Sequence, residues 1–167
     1  MTFKEILLES RQNYTKKSKI VVLIFRFSTY YTSSNIFKKL IGAVFICLNT
    51  IINEFFFSVE IPHTTKIGKG LKIWHPHGIV INKGCIIGNN FEIRHNCTCG
   101  ANKLAIPNKF LIGDNVSMGV NSCILGDDIR IGDNVLVGAG VILMSSVLSN
   151  HYVIGNKPII KVLKDRS

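Results

Sequence analysis

From residue 67 to residue 147 the chain repeats itself every six residues. An aliphatic or small apolar anchor stands at Ile67, Ile73 and Ile79, and after a two-residue slip at Ile81, Ile87, Ile93 and Cys99. After an interruption it returns at Ile112, Met118 and Ile124, and after one extra residue at Ile131, Val137 and Leu143. Glycine follows the anchor at Gly68, Gly88, Gly100, Gly113, Gly119, Gly132 and Gly138. A second apolar or small residue stands four places after the anchor: Leu71, Cys85, Phe91, Cys97, Val116, Ser122, Val135, Val141 and Val147. A helix face recurs at 3.6 residues and does not fit this spacing. Plain strand alternation does not call for a glycine in every hexad. A solenoid does: each hexad supplies one short strand and one turn, and three hexads close a triangular coil. The anchor points inward, and glycine serves the corner, where a side chain or a negative φ is unwelcome. The expected fold is an all-β left-handed parallel β-helix with an N-terminal α-helical segment. A set of ordinary hairpins would rarely hold one period for so long.

The 167 residues allow one domain or a domain with an appended segment. The expected division is a helical segment over 1–58, the β-helix over 59–148 with a loop at 101–110 leaving one corner, and a turn with a basic tail over 149–167. Net charge is +10. The Lys and Arg residues are scattered and no aromatic-basic motif interleaves them, so no nucleic-acid partner is expected. A polyanionic ligand or an anionic membrane leaflet suits the charge better. Of the five cysteines, Cys85, Cys97 and Cys99 fall on interior positions and read as small core hydrophobes. With Cys47 and Cys123 they read as reduced thiols of a cytoplasmic protein.

Residues 1–58 hold no hexads. Thr2 with Glu5 three places later predicts a capping box for a helix running to about residue 14. Residues 19–31 are apolar with an embedded Arg26. Ser33 or Ser34 is placed to cap a longer helix over 35–57. Its uninterrupted apolar run, 40–48, is nine residues, short of the roughly 18–20 that span a bilayer. Asn49, Asn53 and Glu54 then break it. The expectation is therefore helices that cover the open end of the solenoid or a neighbouring subunit, since a coil end exposes backbone edges. The second reading is peripheral contact with the inner membrane, with Lys38 and Lys39 facing headgroups.

Histidine is sparse, and His63, His75, His77 and His95 cluster. His75 and His95 are twenty residues apart, one eighteen-residue coil plus the slip, so they should stack on one corner. The three-histidine spacing of β-helical carbonic anhydrases is absent, and no metal is expected. A general base is the better reading: imidazole can take a hydroxyl proton near neutral pH. Glu60, fifteen residues before His75, is the carboxylate that could orient it. His63 and His151 read as surface residues. His77, four places after an anchor, is expected inside the coil or just behind the site.

The hexads, with Glu60-Ile61-Pro62-His63, Ile67-Gly68-Lys69-Gly70 and Ile73-Trp74-His75-Pro76-His77-Gly78-Ile79-Val80-Ile81, resemble the hexapeptide-repeat acyltransferases of the serine acetyltransferase group. Ile52-Asn53-Glu54-Phe55-Phe56, Val80-Ile81-Asn82-Lys83 and Ile93-Arg94-His95-Asn96-Cys97-Thr98 look more like the relatives in surface-polysaccharide clusters, the colanic acid biosynthesis acetyltransferases. The resemblance implies a homotrimer with sites between adjacent solenoids and acetyl-CoA as donor. It matches His75 to the family's catalytic histidine and Glu60 to its carboxylate. It implies a coenzyme A groove at Gly100, Gly119, Val120, Gly138 and Ala139, with Lys157 and Lys161 near the cofactor phosphates. Serine acetyltransferases carry Asp where Trp74 stands, and an Arg-His-Pro in the loop that here reads Leu104-Ala105-Ile106-Pro107. A zwitterion would lose its charged grips. Trp74, with His77, Arg94 and His95 around the acceptor, suits a sugar ring. The expected activity is O-acetylation of a glycan hydroxyl in surface-polysaccharide synthesis. Serine O-acetylation is the alternative, and a non-enzymatic scaffold the third reading.

Overall fold

Three hexads make one coil. The computed structural model describes residues 1–100 and 110–155. Its first coil is β1 (Val59–Glu60), β2 (Lys66–Ile67) and β3 (Lys72–Ile73), and its second β4 (Ile79–Ile81), β5 (Cys85–Ile87) and β6 (Glu92–Ile93). The third is β7 (Thr98–Gly100), β8 (Phe110–Ile112) and β9 (Ser117–Met118), and the fourth β10 (Cys123–Leu125), β11 (Ile129–Ile131) and β12 (Leu136–Val137). A last coil holds β13 (Ile142–Leu143), a bridge from Val147 to Ile131, and β14 (Tyr152–Val153). Each strand pairs in parallel with its counterpart one coil away. The result is three flat sheets, β1-β4-β7-β10-β13, β2-β5-β8-β11 and β3-β6-β9-β12-β14. This is the left-handed β-helix that the period predicts. The last strand lies beyond residue 148, so the coil runs further than the sequence repeat alone traces.

Anchors and their second residues fill the prism. All anchors but Ile67, in the first coil, are buried, and so are Leu71, Cys85, Phe91, Cys97, Val116, Ser122, Val135 and Val141. Cys85, Cys97 and Cys99 are core thiols, and burial pushes Cys85 up to about 12. A thiol held there stays protonated and is a poor nucleophile.

The corner between the second and third sheets has its own grammar: Gly88-Asn89-Asn90, Gly113-Asp114-Asn115 and Gly132-Asp133-Asn134. Coils approach so closely that a Cβ on Gly88 would lie 2.7 Å from the Gly113 carbonyl carbon. The last Asn of each triplet adopts positive φ, between 55° and 57°. Its side-chain amide donates to the next Asn down the corner, at 2.9 Å from Asn90 to Asn115, 3.0 Å to Asn134 and 2.9 Å to Asn150. Asn tolerates the left-handed region because its short amide can bond locally. Asn134→Ala removes two ladder bonds and puts alanine at positive φ. It should cost about 1–2 kcal/mol, a fall of about 2–8 °C in Tm by calorimetry. An unchanged Tm would show that the ladder is ornamental.

Three helices, α1 (Phe3–Gln12), α2 (Lys16–Ser28) and α3 (Ile36–Leu48), close the first coil. Thr2 and Glu5 form the predicted capping box. Asn35, not Ser33 or Ser34, caps α3, accepting from the Phe37 and Lys38 amides. The open edge of the first coil is satisfied by side chains. Arg26 donates to the Ile67 and Gly68 carbonyls, and Glu9 accepts from the Gly70 and Leu71 amides at 2.6 and 3.0 Å. Asn13 accepts from the Ile73 amide at 2.8 Å, and Asn49 donates to the Ile61 carbonyl at 3.1 Å. Unpaired backbone groups removed from water are costly, and these buried polar residues offset that cost. The third helix runs over nearly the length expected, continuing past Leu48 as a π-helix, Asn49–Phe56, in which Asn49 and Asn53 turn inward to the protein. The continuous helix Ile36–Phe56 is long and apolar enough, by length and composition, to cross a membrane.

Candidate functional site

The histidines gather on the corner between the third and first sheets. In the second-to-third coil step this corner is short, from Ile93 through Arg94, His95 and Asn96 to Cys97. One coil earlier it must connect Ile73 to Ile81, and Ile73 pairs with Ile93 while Ile81 pairs with Cys99. The two extra residues of the slip therefore bulge outward here. His75 and His77 are both exposed, and Pro76 is buried between them. This corrects the placement of His77 inside the coil: counting four from the anchor fails where the corner is two residues longer.

His75 and His95 lie one above the other as expected, ring centroids 5.7 Å apart and planes at 71°. His95 is half-buried, and its Nδ1 is buried without a hydrogen-bond partner. Trp74 is held on three sides. Tyr14, from the α1–α2 connection, stacks on it with centroids 4.0 Å apart. The Arg94 guanidinium sits 5.3 Å from its ring centroid, and its indole N–H donates to Glu92 at 3.4 Å. Arg94 is engaged in turn with the Ser117 hydroxyl at 3.2 Å and the Met118 carbonyl at 3.3 Å. Tyr14 and Glu92 were not legible as site residues. Tyr14 reaches the corner only through the helical cap, and Glu92, with its 3.0 Å ion pair to Lys72, reads as a solvated strand charge.

Glu60 is on β1, opposite Val80 in the strand that leaves this corner, and is exposed. Among the described residues it makes no hydrogen bond or ion pair with His75. Its charge is felt by Glu54 at the end of the long helix, whose carboxyl is raised by desolvation and then by Glu60. The sequence offers no signal for this pair, because the helix end meets β1 only in the fold.

Down the same corner, below His95, lie Val120 and then Ala139 and Gly140. The Asn121 amide donates to the His95 carbonyl and the Gly140 amide to the Val120 carbonyl. Beneath Arg94 come Gly119 and Gly138. A Cβ on Gly119 would lie 2.5 Å from the Ala139 nitrogen, so coil stacking alone demands glycine there. The structure thus brings Gly119, Val120, Gly138 and Ala139 into one column with His75 and His95, with no bulky side chain at those levels. Gly100 does not join them. It ends β7 at the next corner, where a Cβ would meet only ordinary contacts at 3.6 and 3.7 Å. Lys157, Lys161 and residues 101–109 of the loop lie outside the described residues. Among the described residues no group of three His, Cys, Asp or Glu side chains could hold a metal.

A solvent-facing imidazole at the head of a column of small residues can remove a proton from a bound hydroxyl. Comparison with known proteins fits this chemistry. No protein-family model matches the chain. WcaB of Escherichia coli K12, whose name assigns it to acetyl transfer in colanic acid biosynthesis, is 39% identical over 150 residues, covering 86% of this chain and 90% of WcaB. Two solved serine acetyltransferases share the fold. The soybean enzyme complexed with serine has a TM-score of 0.73 and 24% identity over 91% of this chain. The Neisseria gonorrhoeae enzyme has a TM-score of 0.68 and 29% identity over 89%. The chain spans 65% and 56% of those two structures' lengths. With its left-handed β-helix and this identity across nearly all of WcaB, the chain belongs to the hexapeptide-repeat acyltransferases, among the colanic acid biosynthesis acetyltransferases.

Proposed function

We propose that the chain is an acetyl-CoA-dependent O-acetyltransferase that esterifies a sugar hydroxyl during surface-polysaccharide synthesis. The observation that carries this reading is the corner itself, with exposed His75 stacked on His95 at the head of the small-residue column. His75 takes the proton of the acceptor hydroxyl, the alkoxide oxygen attacks the thioester carbonyl, and a tetrahedral oxyanion forms. Its collapse breaks the C–S bond, and the histidinium returns its proton to the departing coenzyme A sulfur, leaving the ester and free thiol. Gly100 lies at another corner, so the backbone N–H groups near its loop are proposed as oxyanion donors only across the boundary with an adjacent solenoid. Glu60 is the carboxylate proposed to stabilise the imidazolium. Cys85, Cys97 and Cys99 are buried in the core, away from a bound acyl donor, and transfer is direct.

The acetyl-CoA pantetheine arm runs along Gly119, Val120, Gly138 and Ala139, with Lys157 and Lys161 near the phosphates. Three copies assemble, with sites between adjacent solenoids. The exposed Ile142, Met144 and Leu148, and the apolar groove of about 570 Å³ lined by Ile86, Leu111 and Leu148, suit contacts between copies. No histidine of the site lines that groove. The five free cysteines fit the cytoplasm, where acetyl-CoA is available. Trp74, with Tyr14 and Arg94 packed on it, borders the acceptor through the edge of this stack, with His77, Arg94 and His95 beside it.

Serine is the second acceptor to test, because the fold neighbours are serine acetyltransferases. Thiol release from acetyl-CoA should be seen with lipid-linked oligosaccharide or extracted polysaccharide and not with L-serine. Release with serine alone would overturn the glycan reading.

A further inference from the structure

The long helix Ile36–Phe56 is poorly covered: only 17% of its apolar window is buried. Phe37, Leu40, Val44, Ile51 and Phe55 follow one another at steps of three, four and seven residues, the spacing of a single helix face. They are 73%, 61%, 61%, 52% and 81% exposed. The opposite side is fastened to the protein. A Cβ on Gly42 would lie 2.2 Å from the Tyr31 nitrogen, Asn49 donates to the Ile61 carbonyl, and Asn53 to the Val21 carbonyl at 3.1 Å. The helix therefore cannot leave the body of the protein to cross a bilayer without losing those bonds, and its apolar face looks outward.

Charge around the N-terminal part of this face is net basic, while Glu54 and its neighbour Glu60 sit at the C-terminal end of the helix. Residues 1–60 contain eight Lys and Arg against four Glu. Two of the four are committed, Glu9 to buried Arg26 and Glu5 to Lys69. Lys38 and Lys39 are exposed and, among the described residues, pair with no carboxylate. At roughly 100° per residue they lie about 130° to either side of the centre of the apolar stripe, on the shoulders next to the fastened face, where Lys38 reaches over the Tyr30 ring. An exposed apolar stripe can lie in the interface of an anionic bilayer when lysines on its shoulders extend their long stems to the headgroups. A second copy of a chain carrying +10 would instead bring like charge to the same rim.

We propose that the Ile36–Phe56 face docks flat on an anionic phospholipid surface, holding the solenoid against the membrane without spanning it. The inference is independent of the acceptor's identity. The full-length protein is to be floated with phosphatidylglycerol-containing vesicles and with pure phosphatidylcholine vesicles. Wild type should bind the former, and high salt should weaken the binding. Lys38→Gln/Lys39→Gln should bind about 30-fold more weakly. Leu40→Ser/Val44→Ser should lose binding while keeping its circular dichroism melt, because both positions face solvent. From membranes of expressing cells, alkaline carbonate should extract the protein. Resistance to carbonate would mean a spanning helix and overturn the proposal. Wild-type vesicle binding by Leu40→Ser/Val44→Ser would overturn it too. A smaller assembly in that variant by light scattering, with wild-type protein ignoring vesicles, would make the face an interface between copies and also overturn it.

Discussion

His75→Ala should lower acetyl transfer by about 10²–10⁴-fold, the range a positioned general base contributes. The loss should fall on kcat, because imidazole acts on the proton in flight and contributes little to holding either substrate. Folding should be untouched: His75 is exposed, and among the described residues no side-chain hydrogen bond ties it to the corner. Steady-state kinetics with a thiol probe, beside a thermal melt, makes the measurement. His77→Ala is the control. It sits on the same bulge, two residues on, and lacks the stacked partner that His75 finds in His95, so its loss should be small. Equal activity in wild type and His75→Ala would remove His75 from the chemistry and point to another group on the corner.

The largest stability effect is expected from Arg26→Ala. Arg26 and Glu9 form a bidentate pair at 2.6 and 2.9 Å with side chains about 95% buried. Removing one partner leaves the other as a buried uncompensated charge, which costs about 3–5 kcal/mol. Chemical denaturation should report it directly. For an isolated buried pair, deleting the second partner as well recovers much of the loss. Here it should not. Arg26 also satisfies the Ile67 and Gly68 carbonyls, and Glu9 the Gly70 and Leu71 amides. Glu9→Ala/Arg26→Ala would leave four backbone groups of the first coil without partners. The double variant should therefore stay at least about 2 kcal/mol below wild type. Full recovery would show that the pair serves only itself and that the coil edge needs no cap.

Both effects arise where repeat and tertiary structure meet, and that is also where sequence reading stops. The period places most of the solenoid's interior because a coil is built from neighbours in sequence. An inward side chain at the anchor is dictated by six-residue geometry, whichever coil it belongs to. The same arithmetic stacks His75 on His95 across a full turn. It fails at His77, where two additional residues must leave the corner and the count from the anchor loses its meaning. It also cannot see the asparagine ladder as a ladder, since each Asn reads alone as a turn residue until the coils are stacked.

The helical cap was legible only in outline. Thr2 and Glu5 announce the start of α1 because capping is local. Nothing local says that Glu9, Asn13, Arg26 and Asn49 turn inward, since polar residues on a helix ordinarily face water. Their partners are backbone groups some 12 to 62 residues away. For the same reason Asn49 and Asn53 read only as interruptions of an apolar run, when in the fold they fasten the helix and leave its apolar side outward. The sequence by itself determined the solenoid, its interior and the corner that bears the histidines, because these follow from a short-range period. Only the tertiary structure decided the Trp74 stack with Tyr14, the Glu54–Glu60 neighbourhood and the outward face of the long helix. Each depends on contacts between the cap and the coil, which no repeat encodes.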